Sequence, residues 1–242
     1  DFIDIQPKDQ LLFSTVLTSL EGLEGSVYGV YERGRFLYSD NDMCLYKTFY
    51  TDLIKAGTNI QDQSTWNAMA TFTNLNTDNS AIRNLWNGYY TGLNRANAII
   101  YNIDNAQEGD RRNTVLGEAY YFRAYFHLCL VEYWDNIVLM KQLKTDPNEP
   151  TVLSPKEDVY DLIVSDLQTA IPLLPEASNV ASRGKVSKGV ARHLLSLAYM
   201  DMGKYSEAAG MSVEVINDPA YALAPINEIF SVTHQENSEI IF

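Results

Sequence analysis

Residues 191–219, ARHLLSLAYMDMGKYSEAAGMSVEVINDP, read as two short amphipathic helices joined by a tight turn. Small residues at Ala191, Ala198 and Ala208 let the two helices approach closely, and Leu195 and Tyr199 fill the groove between them. Gly203 stands where the first helix must stop, because the residue past a helix end often needs a left-handed backbone. Tyr205 is expected to pack just after the turn, and Pro219 ends the second helix. Such a hairpin carries no catalytic parts. It covers its apolar faces by stacking on neighbouring hairpins, so it builds a scaffold.

The spacing is that of a tetratricopeptide repeat, and the rest of the chain extends it. Strand signals are nearly absent and the helical period dominates. A first helix is predicted over about Ser14–Tyr31, weakened by Gly22, Gly25 and Gly29. A second is predicted over Asp42–Lys55, stopping at Gly57. Ile82–Ile103 carries the stripe Ile82, Leu85, Trp86, Tyr89, Leu93, Ala96 and Ile100. Asn113–Trp134 places Leu116, Ala119, Tyr120, Phe126, Leu130 and Trp134 on one side, and the polar turn Asp104–Arg112 makes these two an antiparallel hairpin. After a connecting segment over 135–153, Ser154-Pro155-Lys156-Glu157 reads as a capped helix start. Val159, Ile163, Leu167, Ala170 and Leu174 follow at helical spacing, with Pro172 and Pro175 closing the helix. Past Pro219 the pattern weakens into a loop and a final EIIF. The fold class is all-α: stacked helical hairpins of tetratricopeptide-repeat type with long loops.

Composition narrows the function. The 242 residues are 46% hydrophobic, enough for a sizeable core. Acidic residues outnumber basic ones 31 to 18, a formal charge of −13 that disfavours nucleic acid and anionic lipid as partners. No run of eighteen apolar residues occurs. Cys44 and Cys129 have no partners at metal-ligand spacing; a disulfide between them stays open, and so does the redox compartment. Cys129, in a dense apolar helix, reads as a small buried hydrophobe. His127, His193 and His234 are scattered, with His127 and His193 reading as packing residues, so no metal and no cofactor is assigned. Phosphate loops and nucleophile elbows are absent from the sequence.

Five further blocks carry a family resemblance. They are Asp4 to Lys8; Trp86, Tyr89 and Asn97 within LWNGYYTGLNRANAII; GEAYYFRAYFHLCLVEYWDNIVL at 117–139; Tyr160, Asp166, Leu167, Ala170 and Pro175 within 159–175; and GKVSKGVARHLLSLAYMDMGKYSEA with the closing Glu239-Ile240-Ile241-Phe242. Occurring in this order along the whole chain, they resemble the SusD/RagB family of surface glycan-binding lipoproteins. Asp135 and Val138 depart from the glycine and proline usual after that helix, so the following loop is expected to run differently. The resemblance implies a non-catalytic protein on the outer face of the outer membrane. It would capture oligosaccharides for import through a partner TonB-dependent, SusC-like transporter faced by the helical repeats. Attachment would be only through a lipid on a cysteine ahead of Asp1, which this chain does not contain. Family members continue well past an EIIF-like block, so 1–242 is expected to be an N-terminal helical-repeat domain.

Residues 58–80, TNIQDQSTWNAMATFTNLNTDNS, form the longest weakly periodic stretch, rich in turn-forming Asn, Thr, Asp and Ser. Sugar binding needs a flat aromatic face against the pyranose and polar groups at the ring edge. Given the family, Trp66 is the candidate anchor, with Asn67, Asn74, Asn76 and Asp78 as polar partners; the alternative is that Trp66 folds onto the core and the others only form turns. Trp86, Tyr89 and Tyr90 read as core, Asn97 as an interhelix hydrogen bond, and Glu118 and Arg123 as buried charges needing an ion pair or carbonyl contacts. Two rival functions remain: a tetratricopeptide-type peptide adaptor, and an all-α glycoside hydrolase with two carboxylates facing one groove.

Overall fold

The computed structural model describes residues 16–39, 68, 71–73, 76, 78–144, 146 and 150–242, side chains 36–39 excepted. The predicted helix over Asp42–Lys55 lies outside the described residues, as does Cys44. Among the described residues seven α-helices follow in order: α1 Leu20–Ser39, α2 Ser80–Asn102, α3 Asp110–Tyr133, α4 Lys156–Leu173, α5 Lys188–Asp201, α6 Tyr205–Ile216 and the single turn α7 Ile226–Ile229. The sheet content among the described residues is β1 Ile137–Val138 paired antiparallel with β2 Leu153–Ser154. From α1 to α6 each helix packs on its neighbours in sequence, and α1 also reaches α3. The stacked-hairpin reading is therefore the fold.

Helix α1 starts later and runs further than Ser14–Tyr31. Its glycines cost helix stability, roughly 1 kcal/mol each. Burial of Leu23, Val27 and Val30 outweighs that cost and carries the helix on to Ser39. The α2–α3 hairpin forms as expected, with a 3-10 turn at Ile103–Asn105 between the two helices. Gly92 is where they come closest: a Cβ there would sit 2.5 Å from the Phe126 ring. Helix α3 is not one-sided. Tyr121, Phe122, Ala124, Phe126, Leu128, Leu130 and Val131 are all buried, so it lies inside the stack, and its sequence lacks a clean stripe for that reason.

The start of α4 departs from expectation. Ser154 does not cap it; Pro155 takes the cap position without a side-chain hydrogen bond, because Ser154 is drawn into β2 opposite Ile137. Glu157 and Asp158 still lie in the first turn, where the helix dipole favours them. Nor does Pro172 close α4, which continues to Leu173; so near the end a missing N–H disturbs little of the ladder. In the last hairpin Ala191, Ala198, Leu195, Tyr199 and Ala208 are buried as the pattern requires. Gly203 has φ +71, the left-handed stop. The Ser196 hydroxyl donates to the Ala208 carbonyl at 3.0 Å, a mark of close approach. Tyr205 is the exception: it is 72% exposed, because it begins the outermost long helix with no described layer over it.

The tail folds back. Ala222 N–H donates to the Ser238 carbonyl at 3.1 Å, and Glu239 accepts from Ala224 N–H at 2.9 Å. Phe242 then meets Tyr121 and Tyr31, with ring centroids 5.9 and 6.4 Å away. Tyr31 is the rivet here. Its hydroxyl donates to Glu118 of α3 at 2.5 Å and accepts from Val186 N–H at 2.8 Å.

Two glycine substitutions test this packing. Gly92→Ala gains helix propensity but overpacks against Phe126, so it should destabilise by about 1–3 kcal/mol. Gly25→Ala has nothing within 4 Å of the new methyl and should stabilise by about 0.5–1 kcal/mol. Urea denaturation of both variants reads the difference.

Candidate functional site

The turn that leads into α2 is built from short local hydrogen bonds. Asn79 caps the helix: its side-chain oxygen accepts from Ala81 and Ile82 N–H at 3.1 and 3.2 Å. Asn76 shapes the residues before it. Its side-chain oxygen accepts from Asp78 N–H at 3.0 Å, and its carbonyl accepts from Asn79 N–H at 3.2 Å. Asp78 and Asn76 are exposed. Upstream, the Thr71 and Thr73 hydroxyls meet at 2.6 Å and bracket Phe72. Phe72 has φ +53, a conformation a bulky residue rarely holds, and its side chain is 64% exposed. Such strain is characteristic of functional positions.

The structure thus brings Asn76 and Asp78 together at the start of α2. Trp66, Asn67 and Asn74 lie outside the described residues. Sequence reading passed over Phe72, although an aromatic between two threonines in an aperiodic segment was the available signal. It also passed over Asn79 as the cap, placing the helix start at Ile82 instead of Ser80.

Behind the turn, a buried polar cluster fixes the other end of α2. Arg123 grips Asp166 of α4 through Nε and Nη2 at 2.7 and 2.6 Å. Its Nη1 donates to Asn97 Oδ1 at 3.0 Å and to the Lys141 carbonyl at 2.7 Å. Asn97 Nδ2 in turn donates to the carbonyls of Met140 and Gln142 at 3.0 and 3.2 Å. Burial raises the Asp166 carboxyl above the usual aspartate range, and the guanidinium works against that rise. His127 completes the cluster. Met140 N–H donates to its Nε2 at 3.2 Å, so Nδ1 carries the proton and donates to the Arg123 carbonyl at 2.9 Å. Arg123 makes both the ion pair and the carbonyl contact expected of it, whereas Glu118 bonds the Tyr31 hydroxyl. Trp86 and Tyr90 pack as core should. Trp86 lies edge-on to Trp134 at 5.1 Å, and Tyr90 exchanges hydrogen bonds with the Val138 backbone.

Among the described residues no three His, Cys, Asp or Glu side chains gather as a metal site, and no helix is long and apolar enough to cross a membrane. The residues available at the turn are an aromatic face, hydroxyls, a carboxamide and a carboxylate. Groups of these kinds are ones that pair with hydroxyls and pack against apolar ring faces.

The stacked helical hairpins define an α-helical repeat scaffold. A SusD-like family described as starch-binding and associating with the outer membrane matches residues 1–200, and the chain belongs to it. A SusD-like protein of Bacteroides ovatus is 25% identical over 208 residues, which cover 82% of this chain and 36% of that relative. A SusD superfamily protein of Bacteroides vulgatus superposes with a TM-score of 0.82 at 24% identity, over 92% of this chain and 49% of its own. A laminarin-binding SusD-like protein superposes with a TM-score of 0.78 at 23% identity, over 89% of this chain and 49% of its own. The likenesses to solved structures show the fold. The chain spans about a third of the Bacteroides ovatus relative and about half of those two structures.

Two substitutions probe the cluster. Arg123→Met strands the Asp166 carboxylate in the core and should cost about 3–5 kcal/mol, most of it recovered by Arg123→Met with Asp166→Leu. Burial pushes the His127 imidazole down to about 3. A lowered folded value means the unfolded chain binds the extra proton first, so stability is complete above 6.5 and is lost as pH falls from 6.5 toward 3. The loss should approach about 1.4 kcal/mol per pH unit. Comparing urea midpoints at pH 7 and pH 5 checks it: His127→Gln should remove this one-proton slope.

Proposed function

We propose that the chain is a non-catalytic carbohydrate-binding unit on the outer face of the outer membrane, held there by a lipid. It captures oligosaccharides for a partner TonB-dependent, SusC-like transporter. In this reading residues 1–242 act as one helical-repeat unit, and the insertion 58–80 faces the ligand. Family membership and the laminarin-binding relative support the ligand class. The observation that carries the site is Phe72, an aromatic residue 64% exposed with a left-handed backbone. Sugar rings stack their apolar C–H face on such a surface. Asn76 and Asp78, a few residues further on, would pair with ring-edge hydroxyls, and Trp66, Asn67 and Asn74 complete the proposed set.

The hydrolase alternative needs two carboxylates open to one groove. Glu24 and Glu118 line a common cavity, but Glu24 is held by Arg111 through two bonds of 2.8 and 2.7 Å. Its carboxyl lies below the usual range because of that guanidinium. In this cavity, among the described residues, Glu24 is thus engaged by a guanidinium rather than open beside Glu118.

Affinity electrophoresis in gels containing starch or laminarin, followed by titration with maltoheptaose and laminariheptaose, tests the reading. Phe72→Ala and Trp66→Ala should each weaken retention about tenfold, the scale of a lost aromatic contact. Unchanged retention in both variants would remove the turn as the site. A peptide adaptor would bind neither glycan, and sustained release of reducing ends would restore the hydrolase.

A further inference from the structure

Two cavities open on the side formed by α1, α3 and the segment between α4 and α5, far along the sequence from the Phe72 turn. They share Tyr28 and Lys185. The more polar cavity, about 490 Å³, is lined by Glu24, Tyr28, Arg111, Thr114, Glu118 and Lys185 among others. Ligand cavities of small molecules are of this size.

Its charges are not matched in the usual way. Glu24 and Arg111 neutralise each other. Lys185 stands over two rings, its Nζ 4.2 Å from the centre of Tyr28 and 4.6 Å from that of Tyr31. It makes no ion pair among the described residues. Glu118, 6% exposed, accepts the Tyr31 hydroxyl on one oxygen; no other hydrogen bond reaches it among the described residues. Burial raises its pKa, and the Lys185 charge opposes that rise across the cavity. A donor-only ammonium and an acceptor carboxylate thus face one space without contacting each other.

The sign of the charges selects the ligand. An anion would meet Glu24 and Glu118, and a cation would meet Arg111 and Lys185. A neutral group that both donates and accepts suits the pair, and adjacent hydroxyls of a pyranose do both at once. Tyr28, 61% exposed, adds the flat face that a sugar ring needs. We infer that this cavity is a second saccharide site for one or two neutral sugar rings, with Tyr28 as platform and Glu118 and Lys185 pairing the hydroxyls. The inference takes its ligand class from the carbohydrate reading but uses none of the residues of the Phe72 turn.

Calorimetric titration of the chain with maltose, laminaribiose, cellobiose, xylobiose and mannobiose tests it. At least one disaccharide should bind. Tyr28→Ala and Lys185→Met should each weaken that binding about tenfold, and Tyr205→Ala, an exposed position outside both sites, should leave it unchanged. Tyr28 is exposed, so its variant keeps the test valid if Lys185→Met folds poorly. Binding by none of the five, affinity unaltered by Tyr28→Ala, or loss in Tyr205→Ala would each overturn the second site. Heptasaccharide retention through Phe72, measured on the same variants, reports separately on the carbohydrate reading: it survives if only the disaccharide results fail.

Discussion

The Arg123–Asp166 pair is the constraint on which the rest of the structure depends. A guanidinium inside an apolar helix is tolerable only when its donors are used. Here they reach α4 through Asp166, α2 through Asn97, and the segment after α3 through the Lys141 carbonyl. Apolar side chains alone would let adjacent helices slide by a turn at modest cost. A bidentate pair permits one register only. His127 and Asn97 extend the same grip to Met140 and Gln142, so a connecting segment with little regular structure is held by side chains from two helices.

That rigidity gives the exposed features their meaning. The Phe72 turn stands at the N-terminal end of α2, and Asn97 anchors the same helix near its other end. Asn79 and Asn76 join the turn to the helix through backbone N–H groups.

The helical framework was largely legible in the sequence because its information is local. Apolar spacing, Gly203 and the small residues of the last hairpin each act over a few positions, and all appear in the structure as read. What escaped depends on distant partners. Ser154 looks like a cap until Ile137 claims it for a strand pair. Tyr205 looks like a packing residue until the stack leaves it outside. The run from Tyr31 on to Ser39 could not be seen because Glu32, Arg33, Gly34 and Arg35 interrupt the apolar spacing. The partner of Arg123 lies 43 residues away, so the need for a partner was readable but its identity was not. Phe72 was hidden for a different reason: a positive φ is a property of the folded turn, and Thr-Phe-Thr does not announce it.

Arrays of helical hairpins normally touch only their immediate neighbours, so one end can fray without the other responding. The Tyr31 hydroxyl breaks that rule, since its bond to Val186 spans 155 positions in sequence. Closing so long a circuit in one step is entropically costly, a cost the intervening hairpins lower by bringing its ends together. Once closed, it ties the fate of the first described helix to the segment that launches the last hairpin. The stack then behaves as a loop of linked parts, and loosening α1 is felt at Ser187 and beyond.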